Sequence, residues 1–225
     1  MALTKFNFNS FDLTTAASKG LAFNSSANGF TTGSSDSMTL IKTITASSSA
    51  NVSFVHGSSD VVLDNTYPVY FFDFVNIHPS SSGNENFLMN FSTDGGSNYN
   101  VTKTSAAFVS YNYETVSANA TGYDTSRDLA QSTSDQIIAS EISSDSDSGM
   151  GGRMYLFNPS STTFVKHFMS QMVGTNDPGS NEEWSHTDIM SGYANTTSAI
   201  NGVRFKFVSH NIDSGKIKLY GIKDS

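Results

Sequence analysis

The single tryptophan of the chain, Trp184, lies in the polar segment NDPGSNEEWSHTD. A tryptophan on a loop can stack against the apolar face of a sugar ring, while neighbouring polar side chains bind the hydroxyl groups. The alternative is that Trp184 fills the end of a β-sandwich or a subunit contact. We therefore predict a candidate glycan-contact site formed by Trp184, Asp177, Asn181 and His186, with Glu182 and Glu183 as neighbours.

A second candidate is the acidic loop SSDSDSGMGG, residues 143–152. Its Asp145, Asp147 and Gly149 partly match the start of a calcium-binding loop. An EF-hand would place a bidentate glutamate where this chain has Leu156. Calcium binding through irregular ligands and a solvated loop without an ion both stay open.

The remaining residues give no catalytic pattern. The five histidines are scattered singly, and the chain has no nucleophile elbow, Walker loop or dinucleotide fingerprint. No two carboxylates are marked out as the facing pair that a glycosidase needs. There is no cysteine, which excludes disulfides, thiolate metal sites and cysteine nucleophiles. We predict a protein that is not an enzyme and has no catalytic, metal-binding or cofactor-binding residue.

The composition of the chain excludes two classes of binding partner. Of the 225 residues only 14% are charged, and the formal net charge is −8. Phosphate recognition depends on clustered Lys and Arg, and no basic cluster occurs, so we expect no nucleic-acid partner. No run approaches the roughly 20 apolar residues that cross a bilayer, and the N-terminus is a poor match to a signal peptide. We expect no membrane insertion.

Residues 1–37 differ from the rest of the chain. Isolated phenylalanines alternate there with Ser, Thr, Asn and Gly, a pattern that cannot form a core of its own. We predict that this segment is an extended N-terminal arm whose aromatic side chains dock on a neighbour. The candidate docking residues are Phe6, Phe8, Phe11, Phe23 and Phe30.

From Met38 to the end, strand patterns dominate. Nine candidate strands can be read, and no segment shows a sustained helical stripe of apolar residues. They are MTLIKTIT, NVSFV, YPVYFFDFVNIH, FLMNFS, AAFVSYNY, RMYLFN, FVKHFMSQM, VRFKFVS and KIKLYGI. About nine or ten strands with Ser/Gly turns predict an all-β fold: an antiparallel, jelly-roll-like β-sandwich over 38–225. The most apolar strand, residues 67–78, is expected at the centre of a sheet and buried on both faces.

Three connections carry specific expectations. The DGG sequence at 94–96 predicts a hairpin corner joining FLMNFS to the following strand, because glycine adopts positive φ at no steric cost. HNIDSGK, residues 210–216, predicts a short hairpin loop closed by Gly215. The segment TSRDLAQSTSDQIIASEI is the one place where a turn or two of helix is expected, around Leu129.

Several stretches together resemble a family of virion structural proteins from tailed bacteriophages, especially marine phages and cyanophages. They are TITASSSANVSF, VNIHPSSSGNENFLMNFSTDGGSNYN, MYLFNPSSTTFVKHFMSQ and SGYANTTSAINGVRFKFVSHNIDSGKIKLYGIK. The resemblance runs from about Met38 to Lys223, and its most specific part is the closing signature from Asn195 to Lys223. It implies a β-sandwich exposed on the particle, of the tail-fibre-like or head-decoration kind, with no catalytic residues.

Two functional hypotheses follow. The first is a structural accessory protein of the virion, a capsid decoration or a fibre or knob protein, held by residues 1–37 and forming a homo-oligomer, with a trimer favoured. Its partners would be other virion proteins, and its location the particle surface after assembly in the host cytoplasm. The second is a receptor-binding module that uses Trp184 and its neighbours to contact host surface glycan in host attachment.

Overall fold

The computed structural model describes residues 20–23, 26, 29–33, 37–80, 83–115, 118–177 and 183–224. The chain divides into two compact units, Met1–Ser37 and Met38–Ser225. In the first unit, β1 (Gly20–Phe23) and β2 (Phe30–Gly33) form an antiparallel hairpin. Phe6, Phe8 and Phe11 lie outside the described residues.

The second unit contains twelve strands in the residues that the structure describes. They are β3 (Met38–Ser49), β4 (Val52–Val55), β5 (Val69–Pro79), β6 (Glu85–Ser92), β7 (Lys103–Tyr113), β8 (Asn119–Tyr123), β9 (Gln136–Ile142), β10 (Met150–Phe157), β11 (Lys166–Asn176), β12 (Trp184–Ala194), β13 (Gly202–Phe207) and β14 (Ile212–Ile222). None of the described residues is helical, and none belongs to a helix that could cross a membrane. The predicted all-β class is confirmed.

Two antiparallel sheets form the sandwich. The large sheet has the order β3-β14-β5-β10-β11-β12-β7-β8, and the small sheet has the order β4-β13-β6-β9. The strands β3, β14, β5 and β10 of the large sheet and the four strands of the small sheet have jelly-roll connectivity, because the chain changes sheet at every step along this set except from β6 to β9. The jelly-roll prediction is confirmed, and β11, β12, β7 and β8 extend the large sheet beyond it.

Phenylalanines from both sheets interlock in the core. Phe72 and Phe74 of β5 make edge contacts with Phe205 of β13, with ring centroids 5.2 and 5.0 Å apart. Phe54 of β4 and Phe87 of β6 complete the cluster. Edge-to-face aromatic pairs each add about 1 kcal/mol beyond the area they bury. This packing holds the two sheets together in a chain without disulfides.

The central strand is buried on one face only. β5 lies between β14 and β10, as expected. Its burial alternates, with Tyr70, Phe72 and Phe74 enclosed while Phe71 and Val75 on the opposite face stay partly exposed. The prediction that both faces are buried is wrong, because one face of the large sheet is covered by the small sheet while its other face stays partly exposed.

The two connections that were predicted to be hairpins instead carry the chain from one sheet to the other. β6 and β13 belong to the small sheet, whereas the strands that follow them, β7 and β14, belong to the large one. The DGG sequence is a turn, with Gly95 and Gly96 at φ of 72° and 83°, but it does not join paired strands. Gly215 lies inside β14 at φ 119°, in a bulge opposite Asn76 and Ile77.

The expected helical turn is also absent from the described residues. Residues 125–127 form a turn, and Gln136–Ile142 is β9 of the small sheet. The backbone N–H of Leu129 donates to the hydroxyl oxygen of Ser105, and the backbone N–H of Ser105 donates to the carbonyl oxygen of Leu129. The loop thus bonds to β7, and tertiary hydrogen bonds prevail over the weak local helix preference.

Candidate functional site

The large sheet extends beyond the small sheet, and a groove forms where it does. The small sheet ends at β9, which packs against β11 and β12. The inner face of β8 and of the second half of β7 lies beyond β9. On this face β8 carries only the small residues Ala120 and Gly122, opposite Tyr111 and Val109 of β7. Long side chains on β7 beside short ones on β8 leave an open groove with a volume of about 380 Å³.

Three aromatic side chains form one wall of this groove. Trp184 lies directly opposite Tyr113 across the β12–β7 pair, and Tyr111 follows two residues earlier on the same face. The Trp184 and Tyr113 rings are 4.6 Å apart in a T-shaped contact, and the Trp184 and Tyr111 rings are 6.1 Å apart. All three side chains are half-buried. We call the groove lined by these rings the aromatic groove.

Charged side chains line the aromatic groove beside the rings. Arg127 donates from Nε to Asp124 Oδ2 at 2.9 Å and from Nη1 to Asp188 Oδ1. The buried carboxylate of Asp188 also accepts from the backbone N–H of Ser140 at 3.1 Å. Hydrogen bonds from Ser126, helped by the charge of Arg127, hold the pKa of Asp124 below its usual value. Arg127 is therefore fixed between two carboxylates.

His186 is the least satisfied polar residue of the groove. It is 3% exposed, and its Nε2 lies 3.3 Å from Asp188 Oδ2. Within the described residues neither ring nitrogen makes a well-formed hydrogen bond. Buried polar groups normally have partners, so His186 is an exception among the groove residues.

The structure brings together two of the four predicted glycan-contact residues. Trp184 and His186 line the aromatic groove. Asp177 does not line it, and Asn181 lies outside the described residues. The residues that sequence reasoning missed are Tyr111, Tyr113, Arg127 and Asp188. The alternation YNY in β7 placed the two tyrosines on one face, but only the β12–β7 register shows that this face meets Trp184.

Asp177 instead belongs to an acidic cluster with Asp145 and Glu183, whose carboxylate oxygens lie within 4.8 Å of one another. The contact with Asp177 raises the pKa of Asp145, and the charge of Glu114 raises that of Glu183. Mutual repulsion of this kind is what a cation would relieve. Such exposed carboxylates do not by themselves define a metal site.

The fold and the groove define an all-β jelly-roll protein whose large sheet extends beyond the small sheet and carries the aromatic groove on the extended part. Comparisons with protein families, with curated proteins and with solved structures each find no match to this chain.

Proposed function

We propose that this protein is a non-enzymatic structural component of a tailed-phage virion, an accessory decoration or a fibre or knob protein on the capsid or tail. The observation that carries the proposal is the jelly-roll strand order in a chain whose segments resemble virion proteins. Jelly rolls are used by viral capsid and lectin domains. A fold alone does not specify function, so the resemblance of the segments from Met38 to Lys223 supplies the rest of the argument.

The physical properties of the chain suit this role. The core is fastened by interlocked aromatic rings without a disulfide, as a protein assembled in a reducing cytoplasm requires. Residues 1–37 anchor the sandwich to the particle or to further copies of the chain, with a trimer favoured. Partners that bind only the folded form stabilise it by mass action.

The proposal is tested by purifying phage particles and asking whether the chain belongs to them. We expect the protein to band with intact particles in a density gradient, and an antibody against the sandwich to label the particle surface. Recovery of the protein only from the soluble fraction of the lysate would contradict the proposal. A known capsid protein in the same gradient is the control for particle integrity.

A second candidate function is carbohydrate binding by the aromatic groove, consistent with a receptor-binding role. The specific observation is the wall formed by Trp184, Tyr111 and Tyr113 beside Arg127 and His186. Aromatic faces stack on sugar C–H groups, and charged or polar side chains bind the hydroxyl groups. The groove volume of about 380 Å³ is within the range of small-ligand sites.

Glycan binding is tested by titrating the full chain with host surface polysaccharide and its oligosaccharide fragments in a calorimeter. We expect Trp184→Ala to weaken binding at least about tenfold, because it removes the stacking surface. Phe164→Ala is the matched control, since Phe164 is an aromatic residue 68% exposed outside the groove. Equal affinities of wild type and the Trp184 variant would place the binding site elsewhere.

A further inference from the structure

The outer face of the large sheet carries a continuous apolar surface. Strand register places Leu40, Tyr220, Phe71, Tyr155 and Met169 side by side across five strands. A second row, Met38, Ile222, Val69 and Phe157, runs beside the first. We call these nine residues the outer apolar band.

Aromatic rings form the centre of the outer apolar band. The ring centroid of Phe71 lies 5.1 Å from that of Tyr155 and 5.7 Å from that of Tyr220. The rings of Tyr155 and Phe157 are stacked, with centroids 6.3 Å apart. The rim is open, because Leu40 is 52% and Met38 48% exposed. The solvent face of an antiparallel sandwich is normally polar, so a contiguous aromatic surface there indicates an interaction site.

The size of the band limits what can cover it. Five strands about 4.8 Å apart and two rows of side chains give roughly 300 Å². A standard interface between globular proteins buries about 800 Å² on each partner. The outer apolar band therefore fits a small apolar element better than the broad face of another domain.

The hairpin of the first unit is such an element. Phe23 and Phe30 lie opposite each other in the β1–β2 register, with rings stacked 5.1 Å apart, and Phe23 is 70% exposed. A two-stranded hairpin is marginally stable alone and needs a surface to pack on.

Charge also favours the hairpin. Residues 20–33 contain no charged side chain, and over residues 1–37 two lysines balance two aspartates. The whole net charge of −8 therefore lies on residues 38–225. A hairpin without charge adds no like-charge repulsion at the contact itself, unlike the acidic face of a second sandwich.

We propose that the outer apolar band binds the Phe23–Phe30 hairpin of a second copy of this chain. The inference rests on the assembly role of residues 1–37 in the proposed function and names the surface that receives them. Phe23 inserts its ring among Phe71, Tyr155 and Tyr220, where edge-to-face contacts are available. Reciprocal exchange closes a dimer, and head-to-tail exchange around a three-fold axis closes a trimer.

Complementation between full-length variants tests the proposal. The hairpin variant carries Phe23→Ser and Phe30→Ser, and the band variant carries Leu40→Lys and Met169→Lys. The control carries Val173→Lys and Ile189→Lys, which replace similarly exposed apolar residues on the same sheet face outside the band. Light scattering gives the masses, and circular dichroism checks that each variant is folded.

We expect wild type and control to be oligomers, and each of the other two variants to have the 24.2 kDa mass of one chain. An equal mixture of hairpin and band variants should regain a two-chain complex, because one supplies an intact band and the other an intact hairpin.

Each of the other outcomes of this experiment overturns a defined part of the proposal. A wild type that is monomeric at all concentrations overturns the band proposal and leaves virion membership to the gradient experiment. If the hairpin variant is monomeric but the band variant is still an oligomer, the outer apolar band is not the surface that binds the hairpin. Residues 1–37 then keep their proposed role in assembly. Failure of the mixture to form a complex overturns exchange between copies.

Discussion

At the scale of single residues, the interior contains charges that need fixed partners. Asp188 is 2% exposed and is held by Arg127 and by Ser140. Removing Asp188 leaves Arg127 with Asp124 as its remaining carboxylate partner and takes the acceptor from the buried N–H of Ser140. The Arg127–Asp188 pair therefore fixes Arg127, which lines the aromatic groove.

We expect Asp188→Ala to lower the free energy of unfolding by about 3 kcal/mol in urea titrations. Asp73→Ala is the matched control, because the Asp73–Lys218 pair, 3.7 Å apart, is about one-third exposed on the same sheet. That pair should contribute less than about 1 kcal/mol. Equal losses in the two variants would show that the Asp188 pair is not stabilising.

Lys103 is a second buried charge and gives a pH prediction. Its Nζ donates to Asn90 Oδ1 at 2.6 Å and to the backbone oxygen of Val101. Burial lowers the pKa of Lys103 from 10.5 to about 8. Above pH 8 the unfolded chain keeps a proton that the folded chain releases, so this residue makes the free energy of unfolding rise with pH.

The rise should reach about 2 kcal/mol between pH 8 and 10. Above pH 10 the opposite effect begins, because burial raises the pKa of Tyr70 to about 12. Urea unfolding of wild type and Lys103→Met across pH 7 to 10 isolates the contribution. Parallel pH profiles for the two proteins would refute it.

At the scale of elements, backbone irregularities set the strand register. Gly215 lies in the β14 bulge, and a Cβ there would approach the backbone oxygen of Asn76 to 2.5 Å and Ile77 Cα to 2.8 Å. With φ at 119°, an L-residue is strained as well as crowded. The glycine therefore allows β14 and β5 to pair around the bulge.

We expect Gly215→Ala to lower the free energy of unfolding by about 3 kcal/mol. Gly122→Ala in β8 should change it by no more than about 0.5 kcal/mol, since nothing lies within 4 Å of its Cβ position. Chemical denaturation of both variants makes the comparison. A harmless Gly215 substitution would mean that the bulge is not a constraint.

At the scale of the whole molecule, assembly should couple to stability. If copies associate through the outer apolar band, the unfolding midpoint Tm rises with protein concentration by mass action. We expect about 2 °C for each tenfold concentration, given the size of the chain. The hairpin variant should have a constant Tm. Scanning calorimetry over a hundredfold range measures both, and a concentration-independent wild type would contradict assembly.

The sequence alone determined the class of fold. Period-two alternation such as Val203, Phe205 and Phe207 against Arg204 and Lys206 marks a half-buried strand, because side chains of a strand alternate between two faces. The lack of a helical stripe of apolar residues and the Ser/Gly turns between the strands then predicted an antiparallel β-sandwich. These are local properties, and local patterns are readable one segment at a time.

Tertiary structure decided which strands pair. A turn signal such as DGG shows that the chain reverses, but whether the next strand joins the same sheet or crosses to the other depends on long-range pairing. That is why the chain crosses between the sheets at both predicted hairpins, and why the segment around Leu129 bonds to β7 and forms no helical turn. The aromatic groove and the outer apolar band arise in the same way, since register across distant strands brings Tyr111 to Trp184 and Phe71 to Tyr155.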